Sequence, residues 1–572
     1  MSPSSTRPPS RRTSAARQSK RGARFNMLKK AFAVTLDPAT SLENHTGSWR
    51  TLRPVNVFKL PPCNKQCPAG ENIQQWLYYA AQGDYEQAWR ILTEENPFPA
   101  CMGRVCYHTC EGKCNRGLLD ESVGINSVER FLGDYALEHG LAFKRPTRES
   151  GKKVLIIGAG PAGLSAAYHL RRFGHTVHVV EQGKEPGGMM RYGIPTYRLP
   201  RDILDKEIKR ITDMGVTIEC GRKVDDIEAE KAKGKYDAVI LGLGAGISQN
   251  VDIPQGDTNH ILNALKVLGE IETTGKLDSE IKVARKVAVY GGGNTAVDVA
   301  RSLRRFGAEP IIVYRRNRDK MRASEEEMAA AEAEGVQVKW LSTITGASKD
   351  KLKIEKMALD ENGYPQPTGE FEELPADAVV LALGQNVDQA AIQKLKELKF
   401  EKDSLIVDPV TLETSVKGIF AAGDCATRDR TVTHAIGMGK NAARAVNAYL
   451  KGTVYKKQPK HEDAKFEDMH PWYYSEAPKT VRPELEAARR TSNFDEVQHG
   501  LTEENAIFEA RRCLSCGNCM ECDNCYGVCP DSAIIKLGPG KGYEFNYDYC
   551  KGCGICAQEC PCGHIAMVPE KI

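Results

Sequence analysis

No stretch of this 572-residue chain approaches the roughly 18 consecutive apolar residues of a membrane-spanning helix, so no membrane association is expected. Net charge is scarce as well. The chain carries +4, and Arg7, Arg11, Arg12, Arg17, Lys20, Arg21 and Arg24 fall within the first 26 residues without one acid, which leaves −3 for the remainder. That balance makes a poor nucleic-acid binder. A secretory signal is missing, which points to a reducing, cytoplasmic compartment. Between Cys114 and Cys513 only Cys220 and Cys425 occur. No second cysteine stands two to four residues from Cys425, which excludes a disulfide-reductase dithiol, and both thiols read as simply packed.

What is present is ordinary globular material: 41% hydrophobic and 27% charged residues exclude wholesale disorder. The length suggests about three or four domains. Residues 1–45 are rich in Ser, Arg and Pro; they read as a disordered basic tail, with a transit peptide as the alternative and Met27 as another start. Ile73, Trp76, Leu77 and Ala80, then Tyr85, Ala88, Trp89 and Leu92, fall at one-face helical spacing about the turn Gly83-Asp84. No second copy of this hairpin follows, which excludes a helical repeat. Residues 453–512 read as a charged linker with some helix over Pro483–Arg490.

Two glycine turns carry cofactor chemistry. Val154–Ile157 reads as a buried strand, followed by Gly158-Ala159-Gly160-Pro161-Ala162-Gly163 and a helix through Leu170. Gly158 permits the tight turn, Gly160 lets backbone approach a pyrophosphate, and Gly163 lets helix pack on strand. Glu181 ends the next strand, Thr176–Val180, where a ribose hydroxyl would be held. The second turn, Gly291-Gly292-Gly293-Asn294-Thr295-Ala296, follows the strand Lys286–Tyr290. Its next strand, Pro310–Tyr314, ends in Arg315-Arg316 where an acid would suit NAD. Arginine there suits the 2′-phosphate of NADP, so NADP(H) is favoured over NAD(H). Two nested units suggest FAD plus a pyridine nucleotide, and Gly423-Asp424 after the strand Gly418–Ala422 fits the far half of a flavin fold.

The cysteines fall in two groups. Cys519, Cys522, Cys525 and Cys529 precede a proline, and Cys550, Cys553, Cys556 and Cys560 repeat the pattern. In this bacterial two-cluster run the fourth cysteine of each half ligates the other cluster. Two [4Fe–4S] clusters are therefore expected, on Cys519, Cys522, Cys525 and Cys560, and on Cys550, Cys553, Cys556 and Cys529. The N-terminal group, Cys63, Cys67, Cys101, Cys106, Cys110 and Cys114, is less regular. It suffices for one all-cysteine cluster, and zinc is an alternative on spacing alone.

These residues carry a family resemblance. CNKQCPAG, GRVCYHTCEGKC, INSVERF, VLIIGAGPAGLSAA, GGMMRYGIPTYRLP, VAVYGGGNTAVDVA, VYRRNRDKMRASEEEM and GIFAAGDCAT resemble the small (beta) subunit of glutamate synthase and the matching part of dihydropyrimidine dehydrogenase. YCKGCGICAQECP is similar to the ferredoxin-like delta subunit of 2-oxoacid:ferredoxin oxidoreductases. The resemblance implies FAD at the first turn with Gly187, Gly188, Arg191 and Arg198 near it, and NADP(H) at the second, its 2′-phosphate read by Arg315, Arg316 and Arg322. It also implies two N-terminal clusters, but Val55 and Phe58 stand where the family's first two cysteines belong. Cys67, Cys106 and Cys110 remain for one cluster, with Glu129 or Cys101 as fourth ligand; Cys63 and Cys114 are half of another. Arg512-Cys513-Leu514-Ser515-Cys516-Gly517 reproduces the absent RCxxCG pattern, and Cys513 with Cys516 is expected to complete that cluster, in this chain or a partner.

The expected architecture is multidomain. A helical Fe–S domain (46–150) precedes two nested Rossmann-like α/β (ββα) domains, for FAD (151–285 and 385–452) and NAD(P) (286–384); after the linker comes an α+β bacterial-type ferredoxin domain (513–572). The expected function is an oxidoreductase subunit moving electrons between NAD(P)(H), FAD, [4Fe–4S] clusters and a ferredoxin or partner oxidoreductase, of the 2-oxoacid:ferredoxin or aldehyde oxidoreductase type, in a hetero-oligomer. The cofactors carry the chemistry, so no catalytic side chain is assigned. Alternatives are a glutamate synthase small subunit feeding a large amidotransferase subunit, and a non-enzymatic Fe–S wiring adaptor.

Overall fold

A computed structural model describes residues 45–254, 260–277, 285–388, 392, 394–457 and 460–570. The expectations for the basic tail, apart from His45, and for Met27 lie outside the described residues. Two compact units are present. The larger comprises Val57–Met520 and Pro561–His564; the smaller takes the described residues up to Asn56, Glu521–Cys560 and those from Ile565 onward.

In the larger unit two five-stranded parallel sheets repeat one plan. The first runs Ile419–Ala421, Ala238–Leu241, Lys153–Ile157, Thr176–Val180, Thr217–Glu219, in order across the sheet. Its central strands are buried nearly throughout, as a sheet covered on both faces by helices requires. The helices Pro161–Arg172 and Val432–Leu450 pack against each other and on this sheet.

The second sheet runs Gln337–Lys339, Glu309–Val313, Lys286–Tyr290, Ala378–Leu381, His260–Asn263. The strand His260–Asn263 corrects the expected boundary at 286, because the second nucleotide unit begins before it. Four residues are too few to carry a readable period, and the helix Ala264–Thr274 separates them from the glycine turn. A three-stranded antiparallel sheet, Ser342–Ala347, Lys351–Leu359 and Pro365–Pro375, completes this part.

The N-terminal helices form as their periodicity predicts, over Ile73–Ala81 and Tyr85–Thr93, with Asp84 capping the second by accepting from the Gln87 N–H. Trp76 and Trp89 are fully buried. The helices Pro99–Val105 and Ile125–Glu138 cross so closely that a Cβ on Gly133 would overlap the Ala100 backbone.

Residues 460–512 are not a loose linker. The Ala477 N–H donates to Asp120 (3.0 Å), the Lys479 N–H to Glu121 (2.7 Å) and the Val497 N–H to the Tyr197 carbonyl (3.0 Å). The expected helix shrinks to Ala487–Arg490, while an unforeseen one, Glu503–Arg511, is capped by Thr502 and packs on Ile73–Ala81.

The smaller unit holds two antiparallel strand pairs, Ile534–Lys536 with Tyr543–Phe545 and Leu52–Asn56 with Ile565–Pro569, and short helices Asn524–Val528 and Ile555–Gln558. Residues up to Asn56 thus belong to this unit and not to the helical domain, and residues 513–520 belong to the larger one. No helix among the described residues is long and apolar enough to cross a membrane.

Candidate functional site

Both glycine turns open into one cleft of about 1130 Å³ at the carboxyl ends of the strands, the position where parallel α/β sheets bind ligands. At the first turn Gly158 has φ +105°, and a Cβ on it would overlap the Gly242 carbonyl oxygen. A Cβ on Gly163 would overlap the Gly158 carbonyl oxygen, so helix and strand meet only because both residues are glycine. Gly160 is open towards the cleft, with Gly188 its nearest neighbour. The helix Pro161–Arg172 has no side-chain cap and no acid in its first turn, so its N–H groups and positive end face the cleft. Glu181 lines the same wall and accepts from the Ala159 N–H (2.6 Å) and the Gly183 N–H (2.7 Å). Each carboxylate oxygen keeps acceptor capacity for a hydroxyl.

The second turn repeats this arrangement. Gly291 has φ +151° and sits against the Ala382 carbonyl, and the helix Asn294–Arg305 is likewise uncapped and free of acids in its first turn. Gly293, Asn294 and Thr295 line the cleft, with Asn294 also accepting from the Ser324 N–H (2.9 Å). Arg315, Arg316 and Arg322 all line the cleft beside this turn. None has a carboxylate partner among the described residues, and the buried Arg316 Nε donates to nothing there. Three unpaired guanidiniums beside an open helix N-terminus form a cradle for a phosphate dianion.

Gly423 and Asp424 line the far wall. Burial pushes the Asp424 carboxyl up to about 6, against the pull of Arg430. Arg198 lines the cleft too, but its guanidinium is buried between Asp298 and Glu327, both at 2.9 Å, beyond the second turn. Its partners lie on the pyridine-nucleotide side, whereas the resemblance implied a place near the flavin. Arg191 does not line the cleft. It pairs with Asp205 and Glu185 and donates to the Pro186 carbonyl (2.6 Å), which pins the loop that presents Gly188.

The cysteines gather round smaller cavities. Cys67, Cys106 and Cys110 are electrostatic neighbours, and Cys67 and Cys106 both face Glu129. Burial and the nearby Glu71 raise the Glu129 carboxyl, while hydrogen bonds from Asn126 and Asn96 (2.9 Å) oppose the rise. Cys101 lies elsewhere, buried beside Glu207, so of the two expected fourth ligands Glu129 is the one that faces this group. Val105 and Tyr107 line the large cleft, and the Thr433 hydroxyl donates to the Cys106 sulfur (3.3 Å) next to the lining residues Thr431 and Val432. Cys106 therefore lies just behind the cleft lining.

Cys63, Cys114, Cys513 and Cys516 line one cavity of the larger unit. In the smaller unit Cys529, Cys550, Cys553 and Cys556 line another, the set that the interleaved spacing predicts. Cys522 and Cys560 are electrostatic neighbours there, and Cys525 belongs to the same unit; Cys519 falls in the larger unit. No group of three or more His, Cys, Asp or Glu among the described residues closes on one metal ion. The thiols instead line small cavities. Cys425 is fully buried, its thiol donating to the Leu241 carbonyl (3.4 Å), which agrees with a packed role.

Sequence reasoning missed the loop Gly242–Gly246, which lines the cleft after the strand Ala238–Leu241, and Tyr107, whose phenol burial pushes up to about 12. The glycines of Gly242-Leu243-Gly244 following a buried apolar run were the available signal.

Comparison with known proteins agrees with this geometry. A family described as pyridine nucleotide-disulphide oxidoreductase matches residues 152–439, and one described as dihydropyrimidine dehydrogenase domain II, 4Fe-4S cluster, matches residues 48–141. The NADP(+)-dependent formate dehydrogenase subunit beta of Moorella thermoacetica is 36% identical over 505 residues, 80% of this chain and 71% of that protein. The glutamate synthase [NADPH] small chain of Azospirillum brasilense is 33% identical, covering 68% of this chain and 87% of its own. A homolog of the NAD-dependent dihydropyrimidine dehydrogenase subunit PreT from Salmonella typhi is 32% identical, covering 68% and 91%.

Proposed function

We propose a function from the premise that the chain belongs to the pyridine nucleotide-disulphide oxidoreductase family and carries that family's iron–sulfur relatives' N-terminal domain. It is an NAD(P)H-dependent flavin and iron–sulfur oxidoreductase and a subunit of a larger, hetero-oligomeric complex. Its cofactors are FAD at the first turn, a pyridine nucleotide at the second, and [4Fe–4S] clusters. Among nucleotides NADP(H) is preferred, because three unpaired arginines flank the second turn. The observation that carries the reading is the single cleft, which joins both turns and ends at Val105 and Tyr107 on either side of Cys106.

When bound, FAD exchanges the paired electrons of a nicotinamide for the single electrons that clusters carry. The chain's own residues bind and orient. The open end of Pro161–Arg172 holds a pyrophosphate and Glu181 a ribose hydroxyl. Arg315, Arg316 and Arg322 grip the 2′-phosphate and set the register of the nicotinamide end. Thr433 and the flanking cleft residues fix Cys106 beside the flavin wall, and Glu129 is the fourth ligand with Cys67, Cys106 and Cys110. No side-chain acid or base is needed.

In the tail, the cavity ringed by Cys529, Cys550, Cys553 and Cys556 and the interleaved spacing support a ferredoxin-type module with two [4Fe–4S] clusters. Such clusters, held by these cysteines, would supply single-electron transfer to a ferredoxin or a partner oxidoreductase of the 2-oxoacid:ferredoxin or aldehyde type. The test is anaerobic. NADPH should bleach the flavin absorbance of the purified holoprotein, and NADH should do so more weakly. A flavin that neither nucleotide bleaches contradicts the reading and leaves a wiring adaptor.

A further inference from the structure

Cys513 and Cys516 precede the tail by only a few residues, yet they pack against residues about 400 to 450 positions back along the chain. The helix Glu503–Arg511 lies on Ile73–Ala81, and the loop after it turns through Ser515 (φ +51°) and Gly517 (φ +71°) into the N-terminal domain. Gln74 donates to the Ser515 hydroxyl (2.6 Å), and Arg116 donates to the Arg512 carbonyl (3.3 Å). The Asn115 amide reaches the Cys516 sulfur (3.6 Å). Cys63, Cys114, Cys513 and Cys516 line one cavity together, walled otherwise by Pro61, Pro62, Leu77, Val123, Ile125 and Leu514 and by the polar Gln74, Asn115 and Arg116. Cys63 also stands in electrostatic reach of Cys114, Cys513 and Cys516 at once. A mostly apolar wall with four sulfurs, an amide on one of them from Asn115 and one basic neighbour, Arg116, is the environment of a buried thiolate-bound cluster and not of four spare thiols.

We propose that Cys63, Cys114, Cys513 and Cys516 are the four ligands of a further [4Fe–4S] cluster, closed within one chain by ligand pairs from its two ends. Each thiol releases its proton to solvent as its sulfur binds iron, and the cluster keeps its oxidation level on binding. Cys110 is an electrostatic neighbour of both Cys63 and Cys67, so this cluster stands next to the one behind the cleft lining. Cys516 precedes Cys519, the first cysteine of the tail run, by three residues. The site also fastens residues 503–516 to the N-terminal helices. It rests on the reading of the chain as an iron–sulfur oxidoreductase.

The experiment compares three anaerobically purified full-length variants: Cys513→Ser/Cys516→Ser, Cys63→Ser/Cys114→Ser, and all four changes together. Each double variant should lose about four iron atoms per chain, one cubane, and the same low-temperature EPR signal after dithionite reduction. The quadruple variant should lose no more than either double. Unchanged iron in the Cys513→Ser/Cys516→Ser variant overturns the proposal, as does a quadruple variant that loses two signals, or the loss of zinc in place of iron. Flavin bleaching by NADPH is read in the same samples. Its absence from the wild type would count against the function and leave the iron result standing. A measurement on the unaltered holoprotein needs no variant to fold: Cys513 and Cys516 should resist alkylation until iron is chelated, then react together with Cys63 and Cys114. Their alkylation with the iron count intact overturns the proposal.

Discussion

At Gly158 and Gly291 the chain takes backbone angles that side chains rarely tolerate, and in each case a carbonyl from the neighbouring strand end fills the space a Cβ would need. These glycines were legible in the sequence because the strand before and the helix after them leave one local geometry. The arginines were legible for the opposite reason, as charges where the pattern expects an acid. With no carboxylate to release first, they are available to a phosphate. Arg315→Ala with Arg316→Ala should raise the KM for NADPH about 10–100-fold and leave that for NADH nearly unchanged, since a charge-assisted hydrogen bond contributes about 1.5–3 kcal/mol. Steady-state kinetics with both nucleotides reads this. Asp424 gives a pH prediction. Burial raises its carboxyl from the ordinary value to about 6, so the folded state disfavours the charged form. Its contribution to stability is complete below the unfolded carboxylate range and is lost as pH rises through about 6. In flavin-free protein, Asp424→Asn should therefore raise the melting temperature at pH 7.5 and make no difference near pH 3.5.

Among the elements, the two nucleotide helices, Pro161–Arg172 and Asn294–Arg305, share an N-terminus that is uncapped, free of first-turn acids and open to the cleft. Other helices, such as Ile73–Ala81 and Ile125–Glu138, are uncapped too, but their first turns do not line the cleft. An uncapped end costs stability unless a ligand supplies the acceptor. Gly163→Ala should push Pro161–Arg172 off its strand, at about 1–3 kcal/mol of overpacking, and yield protein with little flavin and a lower melting temperature. Flavin content after gel filtration decides it. Sequence periodicity found the helical hairpin and the long parallel strands because each carries its pattern within a dozen residues. It could not find Leu52–Asn56, whose partner Ile565–Pro569 lies some 500 residues away, nor His260–Asn263, which is a strand only because Ala378–Leu381 pairs with it. Glu503–Arg511 escaped for another reason. Its charges hide the few buried positions, Ala506 and Ala510, that dock it.

On the scale of the whole molecule, under the proposed function electrons enter at the cleft with its two turns, next to Cys106, and their exit is assigned to the proposed tail clusters. Cys556→Ser should remove about four iron atoms and one EPR signal. Flavin bleaching by NADPH should persist, while reduction of an added ferredoxin falls at least tenfold. The tail candidates were legible because the pattern lies in their spacing, and four of them, Cys529, Cys550, Cys553 and Cys556, line one cavity. The N-terminal ones were only half legible: Cys63, Cys114, Cys513 and Cys516 share a cavity, and no spacing announces that Cys513 will meet Cys63. The central claim is that a flavin stands between nucleotide and clusters, and one measurement tests it most directly. Holoprotein and flavin-stripped protein are mixed anaerobically with NADPH, frozen and examined by low-temperature EPR. The account predicts reduced-cluster signals in the holoprotein and none in the stripped protein, whose clusters dithionite still reduces. Cluster signals raised by NADPH in the stripped protein would contradict it.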